Sequence, residues 1–198
     1  STIEGGMVNV NDKKLYHLLL MLRSHGWGKD LGKSARAGLM RKYKVDDFHR
    51  PFTFFVPGMN LRNTDLGAFL GLRMMLKADA VMAIRKRNHR IYAAGLKTVT
   101  FQKWNKKADP CSISFGALAK NKAHRKRVVS MLTANKIETR LFSAGNLGLH
   151  PFWFERYGKF RHPVSDAVHS RGFFLPNHES LRTRDVKFIC GVVNRVKP

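Results

Sequence analysis

The sequence predicts an α/β fold, and three observations carry that prediction. In the second part of the chain, short apolar runs of strand character alternate with segments whose apolar residues recur at helical spacing. Between the two parts, a stretch opened by Thr64-Asp65 runs without proline or strong breaker to Gly95, longer than an ordinary globular helix and suited to bridging two layers or two domains. A content of 43% hydrophobic and 11% aromatic residues places the chain among globular proteins, not disordered ones. At 198 residues it makes one domain or parts of two.

Taken in order, residues 2–10 read as a strand broken at Gly5-Gly6. Asn11-Asp12 caps a helix whose apolar set, Leu15, Leu18, Leu19 and Leu22, shares one face and ends before Gly26. Residues 27–50 mix Gly28, Gly32 and Gly38 with Lys, Arg and Ser, which predicts a loop-rich excursion with one or two helical turns near Leu39. The helix opened by Thr64 carries Gly67 and Gly71 on one face, where another backbone can pack closely. Its later part, with Arg85, Lys86, Arg87, His89 and Arg90, has the pattern of a solvated face.

Beyond Gly95, residues 98–104 are ambiguous and residues 112–118 alternate as a strand. Residues 121–134 predict an amphipathic helix with Val128, Val129, Met131 and Leu132 inward and His124, Arg125, Lys126 and Arg127 outward. Residues 137–142 read as a short strand and residues 150–160 as aromatic and irregular. Residues 172–175 form a strand, and Thr183 caps a last helix with Val186, Phe188, Ile189 and Val193 inward. There is no internal repeat.

The net charge of +24 is the unusual number. It favours nucleic acid, an anionic membrane or an acidic substrate as partner and says nothing of fold. Because the charge is spread along the chain and not gathered in a tail, it reads first as a solvated basic surface. Cys111 and Cys190 define no C-x-x-C pair and no disulfide framework, so a reducing, cytoplasmic setting is the default, with a single bond between them left open. No apolar run is long enough to span a bilayer, and Ser1 opens without a signal peptide or an initiator Met, as in a piece of something longer. His25, His49, His150, His162, His169 and His178 are scattered without metal-ligand spacing. There is no G-x-S-x-G and no P-loop. Trp27, Trp104 and Trp153 among basic residues suit base stacking, yet no RNP, KH or helix-turn-helix pattern accompanies them.

The chain is organised around residues 51–71, P-F-T-F-F-V-P-G-M-N-L-R-N-T-D-L-G-A-F-L-G. An apolar run reaches the Pro57-Gly58 turn, Asn60 and Arg62 follow, and Thr64-Asp65 starts the helix. Polar side chains held between a rigid turn and a helix start suit anion binding or plain capping, and the pattern alone does not choose.

Five segments in order settle a resemblance: S-T-I-E-G-G-M at the start, L-R-S-H-G-W over 22–27, F-x-x-P-G-M-N-L-R-N-T-D-L-x-A-F-L-G from Phe54, I-E-T-R over 137–140 and A-G-N over 144–146. Together they resemble the C-terminal half of the DegT/DnrJ/EryC1/StrS family of sugar aminotransferases and dehydratases, which depend on pyridoxal phosphate (PLP). The resemblance implies the PLP-dependent transferase fold type I. Residues 1–75 would be the end of the large PLP-binding domain with the start of the linking helix, and residues 76–198 the rest of that helix and a small C-terminal α/β domain. It implies a homodimer with active sites at the subunit interface, in which Asn60, matching the family's G-x-N-x-R segment, reaches the cofactor phosphate in the partner's site. Arg62, Arg140, Asn146 and His178 are the expected substrate-binding residues.

The implied substrates are nucleotide-linked 4-keto-6-deoxy sugars for lipopolysaccharide or surface-glycan synthesis, with glutamate as amino donor to the pyridoxamine phosphate (PMP) form. The first two segments look most similar to the 3-dehydratase branch. The Schiff-base Lys, or the His that replaces it, is expected about three positions before Ser1, so this chain alone is expected to be inactive. Residues 41–57 hold no Cys, which sets aside the iron–sulfur relatives, and no metal, membrane or specific nucleic acid is expected. The rival readings are a basic nucleic-acid-binding module and an inactive remnant.

Overall fold

The computed structural model describes residues 2–105 and 107–198. The chain divides into two compact units, one up to residue 76 and one from residue 77.

Among its described residues the first unit holds three α-helices. In α1 (Lys13–Leu22) the N-cap is Asp12, whose carboxylate accepts from the Leu15 amide at 2.6 Å, and Met21 is its buried residue. α2 (Lys33–Lys42) is longer than the turn or two expected there, and it buries Met40. α3 (Asp65–Met75) starts as its sequence requires: the Thr64 hydroxyl accepts from the Gly67 amide at 3.1 Å, and Asp65 lies in the positive first turn. Residues 2–10 are not a strand; a strand needs a partner, and none pairs with them among the described residues. Instead Thr2 lies over the Gly67/Gly71 face, its methyl 3.0 Å from where a Cβ on Gly71 would sit.

The single helix expected from Thr64 to Gly95 is two helices. α3 ends at Met75 and α4 (Ala78–Gly95) begins after Lys77, whose φ of −113° and ψ of 2° leave the helical range. No Gly or Pro marks this break. Its one local signal is Asp79, an acid in the first turn of α4, where the helix dipole favours it.

The second unit is a three-stranded sheet of β1 (Thr100–Phe101), β2 (Ser114–Leu118) and β3 (Gly172–Pro176), in the order β1-β2-β3 and antiparallel throughout. The β2–β3 register places Phe115 opposite Leu175 and Ala117 opposite Phe173, and all four are buried on one face. Onto that core pack α4, α5 (Lys122–Ala134) and α8 (Thr183–Asn194), contributing Tyr92, Val128, Leu132, Val186, Ile189 and Val193. Gly95 lets α8 approach α4, because a Cβ there would stand 3.0 Å from Cys190 Sγ. Asn194 then fastens the end of α4: its amide donates to the Gly95 carbonyl at 2.8 Å and its oxygen accepts from the Lys97 amide at 2.8 Å. Both cysteines are free, and burial pushes the Cys190 thiol up to about 11.

Several expectations are corrected here. His124 is fully buried, not outward: Nε2 donates to the Val196 carbonyl at 3.1 Å and Nδ1 accepts from the Lys120 amide at 3.2 Å. Met131 and Phe188, expected inward, are 37% and 49% exposed. Residues 137–142 make only one bridge, Arg140 with Phe174, and not a strand. α8 is capped at Arg182 and not at Thr183, with the Asp185 carboxylate accepting from the Arg182 amide at 3.0 Å. Two helices were not foreseen, α6 (Pro151–Tyr157) and α7 (Pro163–Arg171); in each, proline occupies the first turn, where its fixed φ is already helical.

His89 bridges α4 to the sheet. Its ring meets Trp104 and Phe115 with centroids 4.8 Å from each, Nδ1 is 3.1 Å from the Ser112 hydroxyl, and the buried Nε2 has no partner among the described residues. Burial lowers its pKa. The folded state therefore resists protonation that the unfolded chain accepts below about 6.5. Stability is expected to fall as pH drops from that value toward 5, and His89→Gln to flatten that slope in urea titrations read by circular dichroism. On α5, Leu132→Ala should cost about 2–5 kcal/mol in the same titration, because it empties a fully buried site. Met131→Ala, one residue away and exposed, should cost less than about 1 kcal/mol.

Candidate functional site

Two of the segments singled out in sequence, 22–27 and 54–62, are one structure. They form a short antiparallel ribbon in which the Met59 amide donates to the Leu22 carbonyl at 2.7 Å, His25 to Met59 at 2.8 Å, Leu61 to Arg23 at 2.8 Å and Phe55 to Gly26 at 2.8 Å. Ser24 bridges to Asn60, and Trp27 to Phe54. The two backbones cross so closely that neither crossing residue can carry a side chain. A Cβ on Gly26 would lie 1.6 Å from the Val56 carbonyl oxygen, and one on Gly58 would lie 2.1 Å from the Gly26 nitrogen. Gly26 also has φ +84°, in the left-handed region that glycine occupies without strain. Trp27 braces the far end, donating from Nε1 to the Pro51 carbonyl at 2.7 Å and stacking on Phe52 at 5.2 Å.

This ribbon presents Asn60 and Arg62. The neighbouring amides of Met59 and Leu61 are tied inward, while the side chains of residues 60 and 62 are exposed. Arg62 Nε donates to Asn60 Oδ1 at 3.4 Å, which leaves the Asn60 amide nitrogen without a partner among the described residues. A neutral donor and a guanidinium therefore lie side by side two residues before a capped helix start. That donor set, with no carboxylate in it, fits a phosphate group. Beneath it Ser24 is fully buried, and its hydroxyl has no partner among the described residues.

The second unit holds the other three residues, and no hydrogen bond or ion pair joins them to one another among the described residues. Arg140 is exposed and paired with Glu138 at 3.0 Å; it lines a cavity of about 670 Å³ together with Lys122, Arg125 and Lys126 of α5. Asn146 is 3% exposed, and its hydrogen bonds run inward: both amide N–H groups are used, on the Phe160 carbonyl at 3.0 Å and Asp166 at 2.6 Å, and its oxygen accepts from Gly148 at 2.9 Å. Asn146 thereby pins the loop that carries it. His178 is exposed; its carbonyl, not its ring, accepts from Asn88 at 3.5 Å and from the Leu181 amide at 3.2 Å.

Sequence reasoning missed Asn177 beside it, which is buried and donates to the carbonyls of Ser112 at 2.8 Å and Arg85 at 3.3 Å. The signal available was a polar residue directly after a buried strand. A second cavity of about 520 Å³ is lined by His89, Phe101, Phe115, Phe142 and Phe174. Among the described residues no three or more His, Cys, Asp or Glu side chains gather as metal ligands, and no helix is long and apolar enough to cross a membrane.

Residues 1–194 match the profile of the DegT/DnrJ/EryC1/StrS aminotransferase family. The chain is 27% identical over 185 residues to a GDP-4-keto-6-deoxy-D-mannose 3-dehydratase of Escherichia coli O55:H7, covering 90% of this chain and 47% of that protein. It is 27% identical over 197 residues to a GDP-perosamine synthase of Escherichia coli O157:H7, covering 98% of this chain and 48% of that protein. Among solved structures it superimposes on an E. coli GDP-4-keto-6-deoxy-D-mannose-3-dehydratase with bound hydrated PLP, at TM-score 0.76 and 21% identity over 92% of this chain and 48% of that one. It matches the PMP form of a putative sugar aminotransferase from Streptococcus pneumoniae at TM-score 0.74 and 17% identity, over 94% and 46%. The fold is the one these enzymes share. The chain spans about half the length of the curated relatives it matches.

The crossing is the testable part of this geometry. Gly58→Ala should force the two backbones apart and remove the bonds on either side of it. In hydrogen–deuterium exchange, the His25, Met59 and Leu61 amides should lose protection, while the β2 and β3 amides keep theirs. Unchanged protection at Met59 would show that the ribbon tolerates a Cβ.

Proposed function

The chain belongs to the DegT/DnrJ/EryC1/StrS aminotransferase family, and from that premise we propose that it is the C-terminal half of a PLP-dependent enzyme acting on nucleotide-linked 4-keto-6-deoxy sugars. The reaction proposed is 3-dehydration or amino transfer with glutamate as donor, in the cytoplasm, for lipopolysaccharide or surface-glycan synthesis. The observation that carries this reading is the ribbon, which holds an Asn60 amide nitrogen, without a partner among the described residues, beside Arg62 just before α3. Asn60 would donate to the phosphate of PLP or PMP, and Arg62 would supply charge to that phosphate or to the substrate. The bound cofactor supplies an electron sink for the carbon that loses its proton.

The residue that bonds the cofactor or takes the proton, Lys or His, is proposed to precede Ser1, so activity needs chain beyond this half. Matches that cover about half of each relative support this division. So does α3, which leaves Leu66, Phe69, Leu72, Met75 and Leu76 between 58% and 82% exposed. An apolar face of that extent is what a missing half or a second subunit of a homodimer would bury. For the substrate, Arg140 and His178 remain candidates because they are exposed, whereas Asn146 would act by positioning its loop.

Asn60→Ala in the intact enzyme should weaken cofactor retention about tenfold, the loss of one hydrogen bond to a charged group. Absorbance of bound cofactor after gel filtration measures it. Unchanged affinity would remove Asn60 from the phosphate site.

A further inference from the structure

We infer that the cavity beside the first half of α5 is a binding site for a small phosphate ester, with its phosphate among Lys122, Arg125 and Lys126 and its less polar part against Val129 and Leu141. This inference lies within the second unit and does not rest on the function proposed above. The cavity, about 670 Å³, has the size of a small-molecule site. Its floor is Val129 and Phe173 and its rim carries four cations, Lys122, Arg125, Lys126 and Arg140, with no acidic residue in the lining.

The electrostatics of α5 point the same way. Lys122 opens the helix, no acid lies in its first turn, and the helix dipole disfavours a cation there. Lys126 stands one turn further along, so that like charges face each other at i and i+4, a second unfavourable choice. Among the described residues neither lysine has a carboxylate within ion-pair distance, and Arg125 donates only to the His169 carbonyl at 3.4 Å. Arg140 alone is paired, with Glu138. A dianion between the lysines would offset both costs at once, and the apolar floor selects one that carries a carbon body.

The test uses the full 198-residue chain with phenyl phosphate and inorganic phosphate as probes. In the wild-type protein, phenyl phosphate at about 1 mM should protect Lys122 and Lys126 from an amine-reactive ester, read by mass spectrometry, and leave Lys97 and Lys187 reactive. By calorimetry it should bind more tightly than inorganic phosphate. Lys122→Ala with Lys126→Ala should weaken binding by about tenfold or more, whereas Lys97→Ala with Lys187→Ala, an equal change in net charge, should not.

Equal protection of all four lysines, or equal loss in both double variants, would mean diffuse attraction and overturn the site. Equal affinity for the two probes would overturn the phosphate-ester class. A short single-stranded oligonucleotide that protects the same lysines more strongly than phenyl phosphate, with a steep salt dependence, would overturn it in favour of a polyanion surface. If the Lys122/Lys126 variant does not fold, protection in the wild-type protein decides.

Discussion

In the first unit residue 26 passes residues 56–58 so closely that carbonyl and amide backbone meet with no space for a methyl group. Everything proposed for the site depends on it. The passage fixes the register in which 22–25 pairs with 59–61, and the register decides which backbone groups bond across the ribbon. A slip of one position would put the Asn60 backbone where the Met59 or Leu61 backbone now bonds and turn its side chain to the other face. Trp27 and Thr64 hold the two ends, one by stacking and hydrogen bonding and the other by capping α3. The side chains that could meet a ligand are thus held by backbone that cannot move without breaking several hydrogen bonds together.

The second unit answers a different constraint, a shortage of carboxylates. The chain has 37 Lys and Arg against 13 Asp and Glu, so there are too few acids to pair every guanidinium group. Many take backbone carbonyls instead: Arg87 reaches Leu181 at 2.6 Å, Arg127 reaches Lys197 at 2.9 Å and Arg171 reaches Lys120 at 3.3 Å. These bonds tie α4 to the loop before α8, and α5 to the C-terminal residues. Carbonyl acceptors carry partial charge only, so they satisfy the donors without cancelling the positive field. The excess charge is therefore part of how this unit is stitched together, and it remains available to an anion where, as at Lys122 and Lys126 of α5, no side-chain hydrogen bond or ion pair is found among the described residues.

Much of this was legible in the sequence and some was not, for physical reasons. The starts of α1 and α3 were readable because cap and apolar period agreed, at Asp12 and Thr64, and α5 and α8 were readable by apolar period alone. β2 and β3 were readable because alternation or a short apolar run stood between turn residues. The break at Leu76-Lys77 was not, because no Gly or Pro marks it. His124 was misread because a histidine beside Arg and Lys resembles a solvated face; only the Val196 carbonyl, 72 residues away, accounts for its burial. The expected strand at 2–10 had the composition of one but joins no strand ladder among the described residues. The ribbon itself was invisible as a ribbon. Its two segments stood out separately, and the glycine-to-glycine crossing that joins them is a contact across about thirty residues that no local pattern encodes.

Two asparagines show what separates a ligand-facing residue from a structural one when sequence treats them alike. Asn146 is buried, and the bonds of its side chain fall on Gly148 in its own loop, on Phe160 beyond α6 and on Asp166 of α7. An amide so occupied cannot turn to a substrate without leaving buried groups unpaired, a cost larger than one new hydrogen bond returns. Asn60 is exposed, its oxygen is lightly engaged by Arg62 and its nitrogen has no partner among the described residues, while its backbone neighbours are fixed. It has already lost much of its freedom in folding, so a hydrogen bond to an anion costs it little further entropy. Preorganised backbone with an unspent side chain is the combination a binding residue needs. Among the expected site residues, Asn60 shows it in full.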